Sequence, residues 1–154
     1  TIGKHLSKKL NMPFIDTDKL IESESKKSIN CIFHEFGEDY FRELEYKLIR
    51  RNMKPHVIAC GGGLPIYNNN IEYINKNGIS IYLKCNIDIL FNRLNNNLER
   101  PILKNLTDFD LLQKISTQLI EREKLYNNAK FRVNVSNKGI ESILREIHSF
   151  ISSI

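Results

Sequence analysis

Cysteine is scarce in this chain, and no two cysteines stand close together: Cys31, Cys60 and Cys85 are the only three in 154 residues. An odd, widely spaced set builds no disulfide framework, and without a Cys-x-x-Cys pair it builds no zinc ribbon. The thiols are expected to be reduced, which points to the cytoplasm. Long apolar runs are missing too. The longest strand-like stretch, at 79–83, is far short of the roughly eighteen residues a membrane span needs, and no secretory pattern opens the sequence. There is no internal repeat and no sign of a second domain. The formal charge is +5, but the lysines are scattered and lack interleaved aromatics, so they form no stripe for nucleic acid. What is present, 41% hydrophobic and 27% charged residues, is the composition of a folded globular domain.

Apolar spacings of three and four predict helices over 1–10, 17–25, 28–36, 38–52, 70–76, 87–94, 109–126 and 140–151. Short apolar stretches predict strands at 11–16, 56–59, 79–83 and 131–135. Strands alternating with helices imply an α/β domain with a parallel sheet and right-handed crossovers. The first helix has no start signal: no capping Ser, Asp or Asn precedes it, and there is no initiator Met. An N-terminally truncated domain is therefore expected. The polar stretch about 95–107, carrying Arg100-Pro101, is expected to be a flexible lid.

In an open α/β sheet, ligands bind beyond the carboxyl ends of the strands. Asp16-Thr17-Asp18 ends the first predicted strand. Carboxylates spaced by two at a strand-to-helix turn suit a metal and a substrate hydroxyl; helix capping explains them equally. Gly61-Gly62-Gly63 ends the second strand, where a bare backbone can approach a ligand closely; a plain flexible turn is the alternative. Arg42, Arg100 and Arg122 are candidate readers of a carboxylate or phosphate. A surface ion pair with Glu45 accounts for Arg42 equally well. Arg100, in a loop before proline, suits a lid over a phosphate.

In order and interval these residues resemble the shikimate kinase family. The matching stretches are Thr1-Ile2-Gly3-Lys4, Phe14-Ile15-Asp16-Thr17-Asp18, Ile32-Phe33 with Gly37-Glu38, and Phe41-Arg42 with Glu45. They continue with Ile58-Ala59-Cys60-Gly61-Gly62-Gly63, Glu99-Arg100-Pro101-Ile102-Leu103, and Arg122 with Leu125-Tyr126. The resemblance implies a three-layer α/β/α domain, P-loop and nucleoside-monophosphate-kinase-like, that moves the γ-phosphate of ATP to the 3-hydroxyl of shikimate with Mg²⁺. By resemblance, Asp18 orients that hydroxyl, Arg42 and Arg122 bind the shikimate carboxylate, and Gly61, Gly62 and Gly63 line the ring. Arg100 meets the transferring phosphate, Asp16 assists Mg²⁺ through water, and Arg93 and Lys138 lie near the nucleotide. The resemblance also implies a monomer. The match begins just after the position of the family's glycine-rich phosphate loop, so the first, central strand and that loop are expected to be missing, leaving this chain weakly active or inactive by itself. A non-catalytic shikimate-binding relative, or another small-molecule kinase such as one for gluconate, stays open beside this reading.

Overall fold

The computed structural model describes residues 1–51, 54–95 and 107–154. They fold as two compact units, Thr1–Gly78 and Ile79–Ile154. Among the described residues all strand pairing is parallel, as expected. The first unit holds a parallel pair of strands and the second holds another. Among the described residues no strand hydrogen-bonds to both pairs, which is the bridging role the resemblance gives to the central strand.

In the first unit, helix α1 (Ile2–Lys9) leads to strand β1 (Phe14–Asp16), helix α2 (Thr17–Ser25), helix α3 (Ile29–Ile49) and strand β2 (Val57–Ala59). A 3₁₀ turn at Tyr67–Asn69 then enters helix α4 (Asn70–Asn77). β1 and β2 run parallel with Asp16 opposite Ala59, so the two chain segments that follow them leave from the same edge. Helix α1 packs on both strands. Gly3 permits this, because a Cβ there would stand 2.8 Å from the Phe14 ring, and that close approach offsets the usual cost of glycine in a helix. As expected, Gly3-Lys4 lies within α1 and not in a phosphate-binding turn.

The core of this unit is an α2–α3 cluster of Ile21, Ile32, Phe41 and Leu48, flanked by Leu20, Ile29, Phe33, Leu44 and Ile49. Ser28 caps α3, its hydroxyl accepting from the Cys31 amide at 3.2 Å. The two helices predicted at 28–36 and 38–52 are the halves of α3. Gly37, at φ 82°, breaks the helix between them in a conformation that glycine adopts without a Cβ penalty.

In the second unit, strand β3 (Ile81–Lys84), helix α5 (Ile87–Asn95), helix α6 (Asp108–Tyr126), strand β4 (Phe131–Asn134) and helix α7 (Ile140–Ile151) follow in order. β3 and β4 are parallel, from Ile81 opposite Phe131 to Lys84 opposite Asn134. Helix α7 lays Ile143, Leu144 and Ile147 against the strand pair, where Val133 and Val135 are also buried. Thr107 and Asp110 form a reciprocal capping box that starts α6. Among the described residues no helix is long and apolar enough to cross a membrane.

Candidate functional site

The site is built where β1 and β2 end. Asp16 closes β1 and caps α2, its Oδ1 accepting from the Lys19 amide at 3.3 Å. Capping fixes the first turn of α2 and so fixes the next carboxylate, Asp18, within that turn. The Thr17 side chain is fully buried and its hydroxyl donates to Asp18 Oδ1 at 3.4 Å. Burial pushes the Asp18 carboxyl above its ordinary value; the neighbouring charges of Asp16 and Glu22 add to this, while the Thr17 hydroxyl and Arg42 oppose it. A carboxylate raised this way is a stronger base for a hydroxyl proton.

Arg42, on the second half of α3, is held at three points. Its Nε and Nη2 donate to Glu38 Oε1 at 3.1 and 2.6 Å, and its Nη1 donates to Glu45 Oε2 at 2.6 Å. The expected surface ion pair with Glu45 is wrong in one respect: the pair is not on the surface. The side chains of Arg42 and Glu45 are only 16% and 1% exposed. Helical phase explains this, since Glu45 lies four residues after buried Phe41 and three before buried Leu48. A guanidinium carries five N–H donors. Three are committed to acids, which leaves one on each Nη for an acidic ligand to take in a fork.

Glu45 is the residue that sequence reasoning undervalued. Burial pushes its carboxyl up against the opposing pull of Arg42, and Asp18 raises it further. Its Oε1 is buried with no hydrogen-bond partner among the described residues. Such an atom is costly unless something donates to it.

The glycine run closes the cluster. A Cβ on Gly61 would stand 3.8 Å from both Asp18 Oδ1 and Glu45 Oε1, and one on Gly63 would land on the guanidinium carbon and both Nη atoms of Arg42. The Arg42 fork thus lies flush on the backbone of the glycine turn, with Asp18 and the orphaned Glu45 oxygen at its other end. Gly62 between them is exposed. Cys60, just before the run, has its thiol pushed up to about 12 by burial, with Glu45 and Asp18 adding to the effect.

Asp18, Arg42 and the glycine turn therefore come together as the sequence suggested, joined by Glu45. The remaining candidates belong to other segments of the chain. Arg122 is half-buried on α6 and Arg93 is exposed on α5, both in the second unit. Lys138 is engaged by Glu146 at 2.7 Å. Arg100 and most of the expected lid at 95–107 lie outside the described residues.

Parallel strands alternating with helices, with an acid, an anchored arginine and a glycine turn at the strand ends, define a kinase-type α/β domain of the nucleoside-monophosphate-kinase-like class. The family model described as shikimate kinase matches residues 1–152. A shikimate kinase of Flavobacterium psychrophilum is 37% identical over 97% of this chain and 90% of its own length. One from a Sulfurihydrogenibium species is 40% identical over 96% of this chain and 87% of its own. The crystal structure of the Bacteroides thetaiotaomicron shikimate kinase superposes with a TM-score of 0.88 at 32% identity, covering 98% of this chain and 90% of that one. The Acinetobacter baumannii shikimate kinase, solved in complex with shikimate, gives 0.85 at 29% identity over 99% and 85%. The chain belongs to the shikimate kinase family.

Proposed function

We propose that this chain, as one domain, takes part in phosphoryl transfer from ATP to the 3-hydroxyl of shikimate, a step of chorismate and aromatic amino-acid biosynthesis. The observation that carries the reading is the contact of the Arg42 fork with Gly63 beside Asp18, which puts an acid-binding group and a hydroxyl-binding carboxylate on one turn. Arg42, together with Arg122, pins the shikimate carboxylate. The ring lies along Gly61, Gly62 and Gly63, and the 3-hydroxyl is presented to Asp18. Its oxygen bonds to the γ-phosphorus while the bond to the ADP oxygen breaks, and its proton passes to Asp18. Positioning and charge neutralisation supply most of the acceleration in such a reaction. Arg100 meets the transferring phosphate, and Arg93 and Lys138 serve the nucleotide.

The donor set suits Mg²⁺ that arrives with ATP. Among the described residues no cluster of three acids, histidines or cysteines stands ready to hold a metal ion, and Mg²⁺ commonly uses one or two carboxylates, retained waters and substrate phosphates. Asp16 is the carboxylate that would hold it through water, and the ion would offset charge on the phosphate oxygens. The free cysteines agree with a cytoplasmic setting, and the protein is taken to act as a monomer.

Residues 1–154 contain no Gly-x-x-x-x-Gly-Lys-Ser/Thr run, the loop that cradles nucleotide phosphates. This supports weak or absent turnover by these residues alone, and it keeps a shikimate-binding, non-catalytic role as a second reading. Calorimetry with shikimate and a coupled assay of ADP release test both. Saturable shikimate binding with little ADP release is expected, and gluconate should produce no thermal shift. A gluconate shift as large as that of shikimate would overturn the substrate, and turnover in the usual kinase range of about 1–100 s⁻¹ would overturn the low activity.

A further inference from the structure

The glycine turn is fastened from behind by a polar strut. Asn70, the first residue of α4, is fully buried. Its Nδ2 donates to the Leu64 carbonyl at 2.9 Å, and its Oδ1 accepts from Arg50 Nη1 at 2.7 Å. Arg50 is itself fixed. Its guanidinium carbon lies 3.4 Å from the Tyr46 ring centre and 4.3 Å from that of Tyr73, and Nη1 also donates to the Tyr46 carbonyl at 3.1 Å. A second fastening lies between the two: the Tyr67 hydroxyl donates to Glu43 Oε1 at 2.7 Å. The turn's own hydrogen bonds are longer, with the Leu64 amide reaching the Gly61 carbonyl at 3.3 Å and the Tyr67 amide reaching that of Gly63 at 3.2 Å.

A buried polar group bonded at both ends is more than packing requires, since an apolar residue of the same shape avoids the desolvation cost. The amide presents a donor end and an acceptor end in a single plane, and each end makes a bond here, one toward the turn and one toward Arg50. Arg42 leaves the same helix eight residues before Arg50 and rests on Gly63, one residue before Leu64. We infer that Asn70, braced by Arg50, is a positioning residue that sets the distance between the glycine turn and the Arg42 fork, and through it the grip on an acidic ligand. Neither Asn70 nor Arg50 touches the ligand. Side-chain choice follows: aspartate would turn an acceptor toward the Leu64 carbonyl, and alanine would remove the donor to that carbonyl and one of the two acceptors of Arg50 Nη1.

The inference rests on the reading of Arg42 as the holder of the shikimate carboxylate, so the test separates the two. Asn70→Asp, Arg50→Lys and, as a stability control in the second unit, Ile147→Ala are compared by calorimetry with shikimate, by melting temperature and by hydrogen exchange of the Gly63 and Leu64 amides. In Asn70→Asp, shikimate affinity should fall about tenfold, the scale expected when a binding group is slightly misplaced, and exchange at the turn should quicken. Arg50→Lys should shift both readings in the same direction by a smaller factor, which keeps the test open should Asn70→Asp fail to fold. Ile147→Ala should lower the melting temperature without moving affinity. Unchanged turn exchange in both strut variants overturns the inference, as does faster exchange with unchanged affinity. Should the unaltered protein bind no shikimate, the functional reading fails by itself and turn exchange alone decides the strut.

Discussion

The two units spend their interiors differently. Five polar or charged residues are buried among the described positions, and four of them, Ser7, Thr17, Glu45 and Asn70, belong to the first unit; only Ser80 belongs to the second. The second unit fills its interior with Leu111, Ile115, Val133, Val135, Ile143, Leu144 and Ile147. Buried charge is costly to arrange and dangerous to break, whereas apolar burial is forgiving of chemistry and sensitive only to volume. Buried polar groups thus concentrate in the first unit, and the second is filled almost wholly by apolar side chains.

Exchanging the two arginines for alanine tests that contrast most severely. Arg42→Ala and Arg122→Ala should each weaken shikimate binding by about 2–5 kcal/mol, the range for unpairing one side of a buried charge contact. Only Arg42→Ala should also cost stability, about 3 kcal/mol, because it strands Glu45 inside. Titration calorimetry and urea unfolding on both variants check this. Equal stability loss in the two, or normal affinity in Arg122→Ala, would break the comparison.

Gly63→Ala is the next test in size. Its methyl would displace a guanidinium already gripped by Glu38 and Glu45. The backbone at Gly63 is not among the positive-φ positions, so no backbone strain is added, but pushing the guanidinium off Glu45 should cost stability up to the roughly 3 kcal/mol of Arg42→Ala, while shikimate affinity drops roughly tenfold. A variant that binds as tightly as the parent would show that Arg42 does not need the glycine surface.

The sequence made the local elements legible because their signals are local. Apolar spacing placed every strand and helix named above, and the gap between the helices expected at 28–36 and 38–52 falls at Gly37. Long-range facts were harder. That β1 pairs with β2 and β3 with β4, with no described strand joining the pairs, depends on partners dozens of residues apart. At the site, Asp18, Arg42 and the glycine run stood out by residue type and order. The burial of Glu45 could have been found from its phase with Phe41 and Leu48. Asn70 could not, since its partners Leu64 and Arg50 lie 6 and 20 residues away and nothing in an Asn-rich stretch distinguishes one asparagine from the next.

The smallest effect is one of pH, and it again belongs to the first unit. Asp18 and Glu45 both sit above the ordinary carboxylate value because burial disfavours their charge. A group raised in the folded chain holds its proton more tightly there than when unfolded. Between the two values the native state therefore binds more protons, and stability falls as pH rises from about 4 through that window. Glu24 runs the other way: its hydrogen bonds to Arg51 hold it low, so it loses support as pH falls, though its exposure makes this slight. Asp18→Asn should flatten the decline in urea-unfolding stability as pH rises from about 4, and Glu45→Gln should do the same while keeping an oxygen for Arg42. If the slope is untouched in both variants, the two carboxylates are not carrying a folding cost, and the contrast between a unit with buried carboxylates and one filled by apolar side chains loses its physical basis.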